Sequence, residues 1–222
     1  MIWLAMSDIS IHRRTLLFNL PTMVFMMLVL GSFMGPQAAN GIPIVLIMMS
    51  AWAFSLRAAY EDDKADMWTF LRALPIPPSQ IVGARFVSSA IVILAFTLLI
   101  TIPMPLVDRA GTFWPWAVTT GAGIGLLITG LFNAAYFRLG YRLTATWFNY
   151  VFFLLFLPAV IPWHRLHGVP GINTFLETLA PAITWLETHR TAAITLAVVL
   201  VLCLWLASWA YATRAFRRKQ LL

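Results

Sequence analysis

The side chains best suited to chemistry lie in one stretch: His164, His167 and His189, with Glu177 and Glu187 between the second and the third. Histidines at i and i+3 could share a metal ion through their imidazole nitrogens, with a carboxylate completing the set. The pair stands beside Trp163, however, and no third ligand follows at a defined spacing, so no metal site is expected. Hydrolase chemistry has less support still, because the chain has no Gly-x-Ser-x-Gly turn and no His-Glu-x-x-His pair. A Gly-x-x-x-x-Gly-Lys-Ser/Thr loop is also missing, so this polypeptide does not cradle nucleotide phosphates in the usual way. The single cysteine, Cys203, sits in an apolar run and builds neither a disulfide framework nor a thiolate site. No catalytic residue is expected.

A second cluster has a different character. In Asp63–Leu74 the apolar residues Met67, Phe70, Leu71 and Leu74 fall at i, i+3, i+4 and i+7, while Glu61, Asp62, Asp63, Lys64, Asp66 and Arg72 supply polarity. That spacing predicts a short amphipathic helix. Carboxylates near its start suit the positive end of the helix dipole, and Pro75-Ile76-Pro77-Pro78 stops it, because proline lacks an N–H and bars helical geometry in the residue before it. Ser79 is placed to cap whatever helix follows. Such a helix either rests on a lipid surface or docks a partner.

The elements that carry this cluster are set by composition. Of 222 residues, 61% are hydrophobic and 10% charged, against roughly 25% charged in a soluble domain. A span needs ~20 apolar residues to cross ~30 Å of hydrocarbon, and a helix satisfies its own backbone there. The fold class is therefore all-α, a polytopic membrane protein of about six transmembrane helices forming a single transmembrane domain over 1–222. The spans predicted are Leu16–Gly35, Ile42–Tyr60, Ile81–Leu106, Phe113–Phe137, Thr144–Pro162 and Thr191–Thr213. His12, Arg13 and Arg14 before the first run invite a signal-peptide reading, but a run of span length exceeds the ~7–15 residues of a signal core, which favours retention.

With the amino terminus inside, twelve Lys and Arg fall on the cytoplasmic side and only Arg109, Arg165 and Arg190 outside. This positive-inside bias predicts both termini in the cytoplasm. It also disposes of the nucleic-acid reading of a net charge of +7, because the charges sit in short loops rather than on the basic face of a soluble fold. Trp114, Trp116 and Trp163 fall near outer span ends, as an interfacial aromatic belt would. Residues 1–15 read as an interfacial helix with Ile2, Ala5, Met6 and Ile9 apolar. The outer loop 163–190 reads as two short amphipathic helices broken at Pro181. The inner loop 61–80 holds four of the eight acidic residues and is the natural docking site for a soluble partner.

Small residues mark close approach: Ala117, Gly121, Gly125 and Thr129 recur every fourth residue in the fourth span, as do Gly31 and Gly35 in the first. Packing within one bundle and a dimer interface both use such stripes. No Asp, Glu, Lys or His lies centrally in a span, and Arg57 is close enough to the inner face to snorkel, which argues against a proton-driven secondary transporter. Asn19, Asn133 and Asn149 lie within or near span ends, where hydrogen bonding between helices is the expected use.

The stretch from Met67 through Leu74-Pro75-Ile76-Pro77-Pro78-Ser79-Gln80-Ile81-Val82-Gly83-Ala84-Arg85-Phe86 resembles the type-2 ATP-binding-cassette (ABC) permeases, in which acidic residues precede a leucine-proline turn and an Ile-Val-x-Ala-basic start of the third span. Ser7-Asp8-Ile9 with Arg13-Arg14, the six-span layout and the Leu179-Ala180-Pro181 break extend the likeness. Pro77-Pro78 departs from it, standing where a less rigid turn is usual. The resemblance implies that loop 61–80 is a coupling helix seated in a groove of a cytoplasmic ABC ATPase, with Asp63, Asp66, Met67, Phe70, Leu71 and Leu74 as docking residues. It further implies a second permease copy, ATP and Mg on the partner ATPase rather than on this chain, residence in a bacterial inner (plasma) membrane, and export of a hydrophobic or amphipathic cargo such as a peptide, lipid or drug. The alternatives are an ATP-independent anchor or assembly factor, or a secondary transporter.

Overall fold

The structure is a computed structural model, and it describes residues 6, 9, 10, 41–67, 75–102, 115–160, 178, 181, 184 and 188–220. Five long helices lie in these segments: α1 Gly41–Lys64, α2 Pro78–Thr101, α3 Pro115–Leu139, α4 Tyr141–Val160 and α5 Arg190–Gln220. No strand occurs among the described residues. Four stretches are long and apolar enough to cross a membrane: Pro43–Lys64, Pro78–Thr101, Ala117–Leu139 and Thr191–Arg218. The predicted first span, with Gly31, Gly35 and Asn19, lies outside the described residues, as does most of the outer loop. α4, at 20 residues, covers most of the predicted fifth span.

Each helix begins and ends for a local reason. α2 starts on an extended Pro77 (φ −63, ψ 140) with Pro78 in the first helical turn, where a missing N–H costs nothing. The expected Ser79 cap is thus corrected: the chain turns helical two residues earlier, and no side chain caps it. α3 and α4 are joined by Gly140 alone, whose φ of 84 supplies the left-handed step that stops one helix and lets the next begin. Its N–H still donates to the Tyr136 carbonyl at 2.9 Å.

α3 is the hub, touching α1, α2, α4 and α5; α1 also meets α2 and α4, and α2 meets α5. The core falls into three clusters, and two of them form tiers along the bundle. One is mostly aliphatic, with Leu46, Ile47, Met48, Ile93, Ile100, Val118 and Ile128 around Phe152. The other is aromatic, with Phe86, Phe132, Tyr136, Phe137 and Phe216 joined by Ile81, Val82 and Ala212. The aromatic tier draws on the end of α1, the start of α2, the end of α3 and the end of α5, so these ends lie together at one end of the bundle. Arg57, Lys64, Arg85, Arg138, Arg214, Arg217 and Arg218 belong to those same ends, and Arg142 to the start of α4, whose Tyr141 packs on the same tier.

The surface is inverted relative to a soluble protein. α5 leaves Leu196 63%, Leu200 57% and Leu206 51% exposed, and α2 and α4 leave Leu98 and Leu154 exposed. Contiguous apolar surface on this scale has no counterpart on a water-soluble monomer, whereas lipid solvates it without cost. α5 reaches the aromatic tier through its basic half, with Trp205, Trp209, Ala212 and Phe216.

Candidate functional site: the base of the acidic loop

α1 does not stop at Tyr60, the predicted end of the second span; it runs on through Glu61, Asp62 and Asp63 to Lys64. Its last turn therefore carries three carboxylates at the negative end of the helix dipole, an unfavourable placement unless cations answer them. Arg57 forms an ion pair with Glu61 one turn back along the helix, and its guanidinium also lies 5.6 Å from the Tyr60 ring centre. Arg85, on α2, brings Nη2 to 3.1 Å from an Asp62 carboxylate oxygen. Glu61 is thus held by a cation from the same helix and Asp62 by one from the next.

The helix then breaks. The Ala65 N–H still donates to the Glu61 carbonyl, but the Asp66 N–H shifts to Asp63, and Asp66 takes φ 47. A left-handed residue just past the last turn is a recognised helix stop, and aspartate tolerates it better than most residues. Asp63 and Lys64 thus belong to the end of α1, and Met67 beyond the break is helical and half-buried; the rest of the amphipathic segment expected over Asp63–Leu74 lies outside the described residues. Asp63 and Asp66 are exposed. Phe70, Leu71 and Leu74 lie outside the described residues. On the return, Ile76 packs against the aromatic tier between exposed Pro75 and Pro77.

Beneath the loop the aromatic rings meet edge to face: Phe86 with Trp205 at 5.4 Å, Phe132 with Phe148 at 4.8 Å, Phe137 with Phe216 at 5.8 Å, and Tyr60 with Tyr141 at 5.7 Å. Such pairs have preferred geometry, so the platform under the loop is better specified than an aliphatic layer.

Arg85 itself is 6% exposed, which sequence reading did not anticipate beyond its place in a motif. The signal was present: Ile81, Arg85, Ser89 and Ile93 follow one another at i+4, and all four are buried. Ser88 and Ser89 donate to the Arg85 carbonyl at 3.0 and 2.8 Å. Ser89 Oγ in turn accepts from Asn133 Nδ2 at 3.1 Å, the helix-to-helix role expected for Asn133. Other span hydroxyls are spent locally: Ser50, Ser55, Thr97 and Thr129 donate to carbonyls four residues back.

The small-residue stripe on α3 faces inward. A Cβ on Gly121 would stand 2.9 Å from Ile47 Cδ1 and 3.1 Å from the Ile44 Cα, and one on Gly125 would stand 3.2 Å from Ile93 Cγ2. These glycines therefore seat α3 on α1 and α2 of the same chain. At the amino terminus, half-buried Ile9 packs on Phe54, Ala58, Val92 and Phe96, while Met6 is exposed. Of the histidines first considered, His189 is exposed, and the others lie outside the described residues. Among the described residues, no three of His, Cys, Asp and Glu converge.

No curated protein and no solved structure matches the chain. A family model does, over residues 4–217, and its description is ABC-2 family transporter protein. The match takes in every helix core, the acidic loop and both Asp62 and Arg85, and on that coverage the chain belongs to the ABC-2 transporter family as a multi-pass membrane transporter component.

Proposed function

We propose that this chain is the permease subunit of an ATP-driven exporter, with six spans and both termini in the cytoplasm of a bacterial plasma membrane. Loop 61–80 docks a separate ABC ATPase, which binds ATP and Mg; two permease copies, identical or sister, enclose one pathway. Nucleotide-driven closure of the ATPases moves the loop and the helices on which it is mounted, shifting the pathway between inward and outward access. A hydrophobic or amphipathic cargo suits the apolar spans.

The observation that carries this reading is the mounting of the acidic loop. Its two ends are anchored by α1 and α2 on an aromatic platform, at the end of the bundle where the basic residues gather. A helix resting on lipid needs no such anchorage. The test is affinity purification of the tagged chain in mild detergent. An ABC-type ATPase should co-purify, and Phe70→Ala with Leu71→Ala should release it while the bundle stays folded. If several detergents yield no ATPase, the assignment fails in favour of an anchor or assembly factor.

A further inference from the structure

Arg85 has no obvious reason to be buried. A cation at the edge of an apolar bundle would ordinarily extend its side chain toward headgroups and water, as exposed Arg57 does from the neighbouring helix. Arg85 instead keeps its side chain 7% exposed and turned to Asp62, itself 15% exposed. Withdrawing two charges from water is costly unless they stay paired, so the contact is favourable only at short range. Drawing α1 and α2 apart at this point would strand a charge on each.

The link continues inward. Asp62 sits four residues before the break at Asp66, on the loop's entry side, and Arg85 seven residues after Pro78, on its exit side. From Arg85 the contacts run through its carbonyl to Ser89, and through Ser89 Oγ to Asn133 on the hub helix α3. One polar chain therefore joins the acidic loop's base to three helices.

Resting on the permease reading above, we propose that the Asp62–Arg85 pair is the positioning element that makes α1, α2 and α3 follow the loop as one body, so that a push at 61–80 reaches the far end of the bundle. Asp62 and Arg85 act through the helices they join; neither contacts ATPase or cargo. A pair with a merely stabilising role would alter melting but not the response to nucleotide.

The experiment uses the full permease with its co-purified ATPase in lipid nanodiscs. Cys203→Ser removes the native thiol, and Ile102→Cys, exposed at the far end of α2, carries a water-soluble maleimide probe. Its labelling rate is read with and without ATP plus vanadate, in the parent and in Arg85→Gln, Asp62→Asn and the exchanged pair Asp62→Arg with Arg85→Asp. The parent rate should change at least threefold with nucleotide. Either single variant should retain the ATPase yet lose most of that change, and the exchanged pair should recover at least half of it. Should Arg85→Gln bind ATPase and respond like the parent, or the exchanged pair respond no better than the singles, the proposal is overturned. Absence of ATPase from the parent preparation overturns the permease reading instead and takes this inference with it.

Discussion

Substituting alanine at Gly121 and at Gly123 separates packing from every other effect of the change. The two residues lie two apart on α3, so the gain from replacing a helical glycine, ~1 kcal/mol, is common to both. At Gly123 the new methyl would meet only Val201 Cγ2 at 3.7 Å, an ordinary contact. At Gly121 it would meet Ile47 Cδ1 at 2.9 Å and the Ile44 backbone at 3.1 Å. Ile47 can rotate away, but backbone cannot, so α1 and α3 must separate by roughly half an ångström to restore the ~3.5–4.0 Å at which carbon atoms rest. Overpacking of this kind costs ~1–3 kcal/mol. Gly123→Ala should therefore be neutral or stabilising and Gly121→Ala less stable than it by ~1–3 kcal/mol, or about 2–4 °C of melting temperature per kcal/mol for a chain of this size. Thermal unfolding of both purified variants in one detergent reads the difference directly. Equal melting temperatures would mean that the Gly121 face does not seat α1, and the helix arrangement around the hub would have to be redrawn.

Three further outcomes follow from the same structure. Gly140→Ala should cost ~1–2 kcal/mol although nothing lies within 4 Å of the new methyl, because the penalty comes from φ 84 alone; Gly140→Asn should recover part of it, and chemical denaturation reads both. Phe216→Ala, fully buried on Phe137, should lose ~2 kcal/mol, less than the ~3–5 kcal/mol of a water-soluble core since the side chain's other environment is lipid, while exposed Leu202→Ala should change melting little. Cys203, exposed on α5 in a stretch read as spanning the membrane, should resist a charged maleimide in intact vesicles and react once detergent strips the lipid; rapid labelling in vesicles would place that face in water.

Hydropathy made the helices legible because lipid imposes one strong rule: a long apolar run must be helical. The boundaries were less so. α1 outran its predicted end because hydropathy ends at the first charges, whereas the helix ends where backbone geometry changes, at Asp66. Pro78 rather than Ser79 opens α2 because proline's fixed φ suits the first turn and needs no capping side chain. The glycine stripe was readable as a contact face, but its partner was not, since an i, i+4 pattern names a face and not the helix across from it. Arg85 was read through a motif as a basic residue near an interface. Its burial depends on a carboxylate 23 positions earlier, and nothing local in the sequence joins the two.

The placement of polar links also bears on where the bundle can move. Ser50, Ser55, Thr97 and Thr129 each donate a hydroxyl to a carbonyl of their own helix. Polar links that cross between helices, among them Asp62 with Arg85, Ser89 with Asn133 and Arg138 with Tyr211, involve the loop end of the bundle, where the edge-to-face aromatic pairs also gather. Such contacts are directional and are lost within a small displacement, whereas the aliphatic tier of Ile47, Ile93 and Val118 is held by non-directional packing. The end bearing the acidic loop is therefore the one where the relative placement of α1, α2 and α3 is most narrowly specified. Beyond it, the close seating of Gly121 on Ile47 and of Gly125 on Ile93 keeps the same three helices together, so α1, α2 and α3 are packed against one another at both ends of the bundle.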